Sequence, residues 1–318
     1  MVLQSVKSVL ALMMLIAAGF YFSGRPWFGK TGMDFLSRFT VEATIPFYMF
    51  YNIYRDIESR EALLSLMGRL PVTFGVILLC IGLAALAAWL LKIRQGRRCT
   101  FITASGFPNV VFIGFPVIQS LWGERATTIG VVYYISSTVL FWTIGVWLLA
   151  RDGAAGTKAG DSLSENLKKL FSPAVIGMLV GMAAVFFRIP VPDVLMTPLA
   201  MISGVTSPLA LIFIGSVIRN MDKESLRFDR DLLAALIMRF FVVPAAAALF
   251  LKAMPVSTEM KEVFFMLSTM PAMTQMGIMA REYGSDYEFA CTVITVTTLA
   301  GMVTIPVFMY LMQTVIAF

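Results

Sequence analysis

The sequence predicts an all-α integral membrane protein, with ten transmembrane helices folded as two inverted five-helix repeats. Three observations carry this. Of the 318 residues, 58% are apolar and only 14% charged, with a mean hydropathy of +0.82. The apolar stretches run to roughly twenty residues, about 30 Å as a helix, which is one bilayer core. The chain also repeats itself: Gly123 and Gly284 stand 161 residues apart at equivalent places after the fourth and ninth apolar runs, and "YISSTVLFWTIG" falls on "ITVTTLAGMVTIP" at the same offset. In hydrocarbon every backbone N–H and C=O needs a partner within the chain, so only helices or closed barrels span. Barrel strands are alternating ten-residue segments, which these runs are not.

Composition also excludes. The net charge of +6 is spread in short basic clusters between apolar runs, which read as topology signals and not as a nucleic-acid surface. Cys80, Cys99 and Cys291 are odd in number and scattered, so no disulfide framework or metal site is expected. The absence of histidine removes the commonest metal ligand and the usual proton shuttle. No cofactor is expected.

The spans follow in order. Span 1 (4–23) holds "SVLALMMLIAAGF" behind Lys7; it has the make-up of a signal-peptide core, but the repeat requires it as a membrane helix. Span 2 (33–54) contains Pro46 in "ATIPFYMF", and span 3 (69–92) runs into the basic turn "KIRQGRR". Span 4 (98–121) is interrupted by "GFPNVVFIGFP", and span 5 (125–150) carries Ser136, Ser137 and Thr138. The connection 151–171 is too short for a soluble domain. It reads as a cytoplasmic linker between a first repeat (1–150) and a second (172–318). Span 6 (172–189) has the small-xxx-small face "GMLVG", and span 7 (195–218) has Pro208 where the repeat places it opposite Pro46. Span 8 (231–252) carries Arg239 in "AALIMRFFVVP". Span 9 (259–282) is interrupted by "STMPAMTQMG" and has a methionine stripe at near-helical spacing; span 10 (286–315) opens on the capping box "SDYE", Ser285 to Glu288.

Sixteen Lys and Arg lie in the connections after spans 1, 3, 5, 7 and 9, against eight on the other side. The positive-inside rule then puts both termini outside the cytoplasm, with Lys7 a mild exception. Five spans per repeat is odd, so the second copy enters the bilayer upside down, the plan of secondary transporters. Spans 4 and 9 correspond in the two halves, and Pro108 answers to Pro271. Proline removes a donor and clashes one turn back, so each span should split into half-helices near mid-membrane. Free N–H groups at the half-helix N-termini suit an anion, and freed carbonyls suit a cation. The plainer reading is two kinked structural helices.

At "ATIPFYMFYNI", "FPNVVFIGFPVIQSLWG", "SPLALIFIGSVI" and "STMPAMTQMGIMAREYGSDYEFACTVITVTTLAGMVTIPV" the chain resembles the auxin efflux carrier family, over nearly its whole length. The resemblance implies a bile-acid-symporter-like or sodium-proton-antiporter-like fold. In it, scaffold helices 1, 2, 6 and 7 flank a transport domain of helices 3–5 and 8–10, with broken helices 4 and 9 crossing. It further implies elevator-type carriage of an organic anion, a homodimer through the scaffold, and roles for Pro108, Asn109 and Pro271 at the crossing. Plant members have a long central hydrophilic loop that is absent here, which argues against their phosphorylation control. Small dicarboxylates such as malate or malonate fit the bacterial branch better than auxin.

Candidate substrate-binding residues are Pro108, Asn109 and Gly114 in span 4, Pro271, Thr274 and Gln275 in span 9, Ser137 and Thr298 in spans 5 and 10, and Arg239. Asn109 has the donor and acceptor to hold a carboxylate, or else makes an interhelical hydrogen bond. The hydroxyl residues serve a ligand or a close helix contact equally well. Arg239 lies about 12 Å into its span and must be paired, face a cavity or reach back to the surface. Glu42 sits at similar depth on span 2; it either latches to Arg239 as a gating or coupling group, or pairs with Arg38 one turn away. The function expected is a permease for small organic anions in the cell membrane, coupled, if at all, to protons or sodium. A cation exchanger on the same scaffold is the alternative, disfavoured because neither interruption holds an acid; an enzyme or sensor fits less well.

Overall fold

A computed structural model describes residues 13–152, 173–220, 228–316 and 318. The start of span 1 and all of the 151–171 linker beyond Arg151 and Asp152 lie outside them. In chain order the helices are α1 (Met13–Phe22), α2 (Gly29–Arg38), α3 (Ile45–Asp56), α4 (Arg60–Met67), α5 (Leu70–Leu90), α6 (Arg98–Gly106), α7 (Phe115–Trp122), α8 (Glu124–Leu140) and α9 (Val146–Asp152). After the linker come α10 (Pro173–Phe186), α11 (Asp193–Arg219), α12 (Arg230–Ile237), α13 (Val243–Ala253), α14 (Thr258–Ser268), α15 (Gln275–Glu282) and α16 (Tyr287–Leu311). Among the described residues there is no strand; the one extended pairing is an antiparallel bridge between Pro108 and Ala272.

Five stretches are long and apolar enough to cross a membrane: Arg60–Leu90, Glu124–Asp152, Asp193–Arg219, Arg230–Ala253 and Tyr287–Ile316. Met13–Phe22, Val110–Trp122 and Pro173–Phe186 are shorter apolar helices. This is a multi-pass, all-helical membrane protein. The apolar window of Glu124–Asp152 is 78% buried, against 33–44% in the other four, among which Trp89, Phe241, Leu249 and Val303 are exposed.

Widened, π-helical turns occupy Phe39–Thr44, Val110–Gly114 and Met238–Val242, each just before a helix that opens with a proline at its first or second position: Pro46, Pro116 and Pro244. The cause is steric. A proline ring collides with the carbonyl four residues back, and an extra residue in the preceding turn moves that carbonyl aside. Span 2 is therefore a continuous helix with one widened turn. Pro208, which the sequence offset sets opposite Pro46, sits inside α11 without a widened turn.

The chain divides into two compact units. The first comprises residues up to Arg69, Val111–Val132 and Leu170–Met221. Here α10 lies against α3 so closely that a Cβ on Gly177 would collide with the backbone of Pro46, and one on Gly181 would come 3.2 Å from Phe50 Cα. The small-residue face of "GMLVG" is thus a helix contact. A polar cluster lies inside this unit: Tyr48 Oη is 2.9 Å from Thr127 Oγ1, Ser207 Oγ donates to Gln119 Oε1 at 2.7 Å, and Asn52 Nδ2 donates to Tyr48 O at 2.8 Å. At the end of α3, Arg55 pairs with Asp56 and Glu124, and Thr128 donates to Asp56.

The second unit comprises Leu70–Val110, Tyr133–Lys169 and Asp222–Phe318. Its core holds Tyr133, Phe107, Phe141, Phe264 and Phe265, all essentially unexposed. Met266, Met270 and Met276 are fully buried there, so the methionine stripe is core packing. Asp152 Oδ2 accepts from the amides of Cys99 (2.6 Å) and Thr100 (3.0 Å), capping the N-terminus of α6. Asp286 caps α16 by accepting from Phe289 N at 2.9 Å. The cap lies one residue beyond Ser285, where the "SDYE" pattern put it.

Candidate functional site: the crossing of two interrupted helices

Within the second unit, the chain between α6 and Val110 and the chain between α14 and α15 leave helical geometry together. Phe107 precedes a proline and is extended, at φ −106° and ψ 118°. The two segments run antiparallel: Asn109 N donates to Pro271 O at 2.8 Å, and Met273 N donates to Phe107 O at 3.0 Å. Each proline lacks a donor, and the opposite segment supplies the pairing that its own helix lost.

Several other backbone groups at the crossing are satisfied from neighbouring helices. Ala272 N donates to Thr297 Oγ1 at 3.1 Å, and the same hydroxyl donates back to Val293 O at 2.7 Å. Arg239 is fully buried and serves the carbonyls. Its Nε donates to Met270 O at 2.6 Å, Nη1 to Ser105 O at 2.9 Å, and Nη2 to Ser268 O at 2.9 Å and also to Met270 O. Close packing seals this side: a Cβ on Gly301 would lie 2.7 Å from Pro271 Cγ.

The other side is polar and less closed. Asn109, 4% exposed, donates through Nδ2 to Thr274 Oγ1 at 2.7 Å. Helix α15 starts at Gln275 with no side-chain cap, and the amides of Thr274 and Gln275 have no acceptor among the described residues. Thr274 is half-buried and Gln275 exposed. A helix start with unmet donors, an amide and a hydroxyl is chemically suited to carboxylate oxygens.

The sequence-derived candidates divide as follows. Pro108, Asn109, Pro271 and Thr274 come together at the crossing, with Gln275 beside them in sequence. Gly114 is buried at the start of α7, in the first unit. Ser137 is fully buried in α8, its hydroxyl without a partner. Thr298 is half-buried and makes no hydrogen bond among the described residues; its neighbour Thr297 is the hydroxyl that reaches the crossing. Arg239 is present, but held by main-chain carbonyls. Glu42 is exposed and is not paired with Arg38, the partner one turn away. The carbonyls of Ser105, Ser268 and Met270 join the site without a sign in the sequence, because a main-chain oxygen has no side-chain signature.

At the basic turn before α6, Arg97 ties three helix starts together. Nε donates to Asp286 Oδ2 at 2.7 Å, Nη1 pairs with Asp229 and lies 3.5 Å from Asp231, and the guanidinium stacks 4.5 Å over Phe289. Burial works against the Arg97 charge, but the hydrogen bonds it donates to Asp286 and Asp229 outweigh it and raise its pKa. Burial likewise works against the Asp229 carboxylate, yet the Leu232 amide and Arg97 hold its pKa below the usual range. Cys80, Cys99 and Cys291 are free thiols, and no metal-ligating group is found among the described residues.

Residues 4–309 match the family model described as membrane transport protein. The chain is 23% identical to the uncharacterized transporter MJ1031 of Methanocaldococcus jannaschii, over 93% of this chain and 95% of that one. It is 22% identical to an uncharacterized transporter of Methanothermobacter thermautotrophicus, covering 95% and 96%. To the uncharacterized transporter YfdV of Escherichia coli it is 20% identical, over 98% of each. These are membrane transporters and not enzymes. With nearly the whole chain inside the match, and the Pro-Asn of span 4 built into the crossing, the protein belongs to this membrane transport family, the auxin efflux carriers.

Proposed function

We propose that the protein is a secondary transporter, a permease, for small organic anions of the mono- or dicarboxylate class, of the size of malate or malonate. The observation that carries this is the start of α15: the open amides of Thr274 and Gln275 stand beside the Asn109–Thr274 hydrogen bond, with no acidic side chain in 107–110 or 270–275 to repel a carboxylate. Asn109 and Thr274 bind the anion in this reading. Pro108 and Pro271 keep the segments unwound, while Gln275, exposed at the start of α15, completes the site.

The same reading takes the fold as two inverted five-helix repeats. Gly123 and Gly284, equivalent by sequence, both reverse the chain with positive φ (77° and 70°), and the paired interruptions run antiparallel, as copies related by an in-plane axis would. Helices of spans 1, 2, 6 and 7 are then the scaffold, joined to a second copy in a homodimer, and spans 3–5 and 8–10 the moving domain of an elevator. The protein sits in the cell membrane with both termini outside the cytoplasm. A cation exchanger is the weaker reading, because such a site needs a membrane carboxylate that the crossing lacks.

The test is a thermal-shift screen of detergent-purified protein against mono- and dicarboxylates, followed by uptake into proteoliposomes of whichever stabilises it. A saturable shift is expected for at least one carboxylate, because a ligand of the folded state raises its apparent stability. A screen in which only cations shift the transition refutes the anion reading.

A further inference from the structure

Arg239 is the one charged side chain of the second unit that is wholly buried, and no acid accompanies it among the described residues. Isolated burial of a full charge is expensive, so something must compensate. What surrounds the guanidinium is main-chain oxygen: Ser105 O from the last turn of α6, Ser268 O at the end of α14, and Met270 O just past it. These are the C-terminal ends of both half-helices that stop at the crossing. A helix C-terminus carries about half a negative charge in its unmet carbonyls. Two of them amount to about one, which one guanidinium cancels.

We propose that Arg239 is a resident counter-charge for the crossing, occupying with its guanidinium the place where carbonyls freed by two broken helices would otherwise gather an alkali cation. The crossing then needs no sodium to hold its two half-helices together, and anion binding is independent of the alkali cation in the medium. The second statement rests on the anion reading above; the first does not. The chemistry follows from the donor set. Three carbonyl oxygens converging from different turns are hard, neutral ligands of the kind that hold Na⁺ or K⁺ in unwound membrane helices. Arg239 meets the same oxygens with directed N–H donors and a permanent charge, which a lysine supplies with poorer geometry. The hydroxyl of Ser105, buried and without a partner, lies on the residue whose carbonyl Arg239 holds.

The test uses purified full-length protein without added anion. Thermal unfolding of the wild type is measured at constant ionic strength in choline, K⁺ and Na⁺ chloride; equal midpoints are expected. A saturable rise with Na⁺ or K⁺ in the wild type overturns the proposal whatever becomes of the variants. Arg239→Ala vacates the cage, and its lowered midpoint should be restored in part by guanidinium or methylguanidinium at low millimolar concentration, or by an alkali cation, and not by choline. Arg239→Lys, which keeps the charge, should lie between wild type and Arg239→Ala. If Arg239→Ala is folded and indifferent to all of these ions, the counter-charge assignment is wrong. A separate arm measures carboxylate affinity of the wild type in Na⁺ and in choline. A change of about fivefold or more, the lower end of ordinary ligand coupling, refutes cation independence. Failure to bind any carboxylate instead removes the anion reading and leaves the stability arm to decide the role of Arg239.

Discussion

Thr297→Val is the most discriminating perturbation of the crossing, because it changes shape hardly at all and deletes one acceptor. The Thr297 hydroxyl accepts from Ala272 N at 3.1 Å, and both residues are fully buried. Two magnitudes compete. Interhelical side-chain hydrogen bonds in membranes average only about 0.6 kcal/mol, because the unfolded chain in the bilayer finds other partners. A buried donor left with no acceptor costs about 1–3 kcal/mol. The second applies here, since Ala272 sits where proline has already broken the helix and no main-chain carbonyl stands in reserve. The hydroxyl's own donation to Val293 O, 2.7 Å away, adds little, because that carbonyl belongs to the helix ladder of α16. A loss of about 1–2 kcal/mol is expected, measured by reversible unfolding in mixed detergent micelles. Thr297→Ser should recover most of it. Thr298→Val is the control: half-buried and without a hydrogen bond among the described residues, it should stay within about 0.5 kcal/mol of wild type. If the two valine variants behave alike, or if Thr298→Val is the worse, the hydrogen-bond account of the crossing is wrong.

Asn109→Ala removes the donor beside the open amides of α15; carboxylate affinity should fall at least about tenfold, as for a hydrogen bond to a charged group, with the variant still folded by circular dichroism. Gly177→Val forces a side chain onto the backbone of Pro46 and should cost about 3 kcal/mol, read as loss of monodisperse protein in size-exclusion chromatography. Asp229 has a depressed folded pKa, so its contribution is complete above the unfolded pKa and disappears as the pH falls through the folded one. Wild-type thermal stability should therefore decline below the ordinary aspartate range, and Asp229→Asn should flatten that part of the profile while lowering stability at neutral pH.

Much of this architecture is legible in residue types. Apolar length finds the membrane stretches, and a Pro-Asn or Met-Pro inside one announces a broken helix, because the price of an unmet donor in hydrocarbon leaves few other outcomes. What is not legible is phase. Each residue along a helix turns a side chain by about 100°, so Thr297 and Thr298 are equivalent in composition and face quite different surroundings. The same one-residue ambiguity separates Ser285 from Asp286 as the cap of α16. The widened turns before Pro46, Pro116 and Pro244 add to it, since each inserts a residue that no periodic pattern records. Arg239 stands out in an apolar run, yet an arginine suggests an anion to its reader, and the partners it has are carbonyls that every residue type possesses equally. The acid-free interruptions, by contrast, are visible at once and weigh against a cation site before any geometry is known.

Helix α6 is fastened at both extremities by opposite charges: the Asp152 carboxylate on its opening amides and the Arg239 guanidinium on Ser105 near its close. A nine-residue rod clamped in this way has no loose end about which to pivot. A displacement of α6 that keeps these contacts carries both clamps with it, and the nearest place where the backbone leaves helical geometry is the extended chain at Phe107.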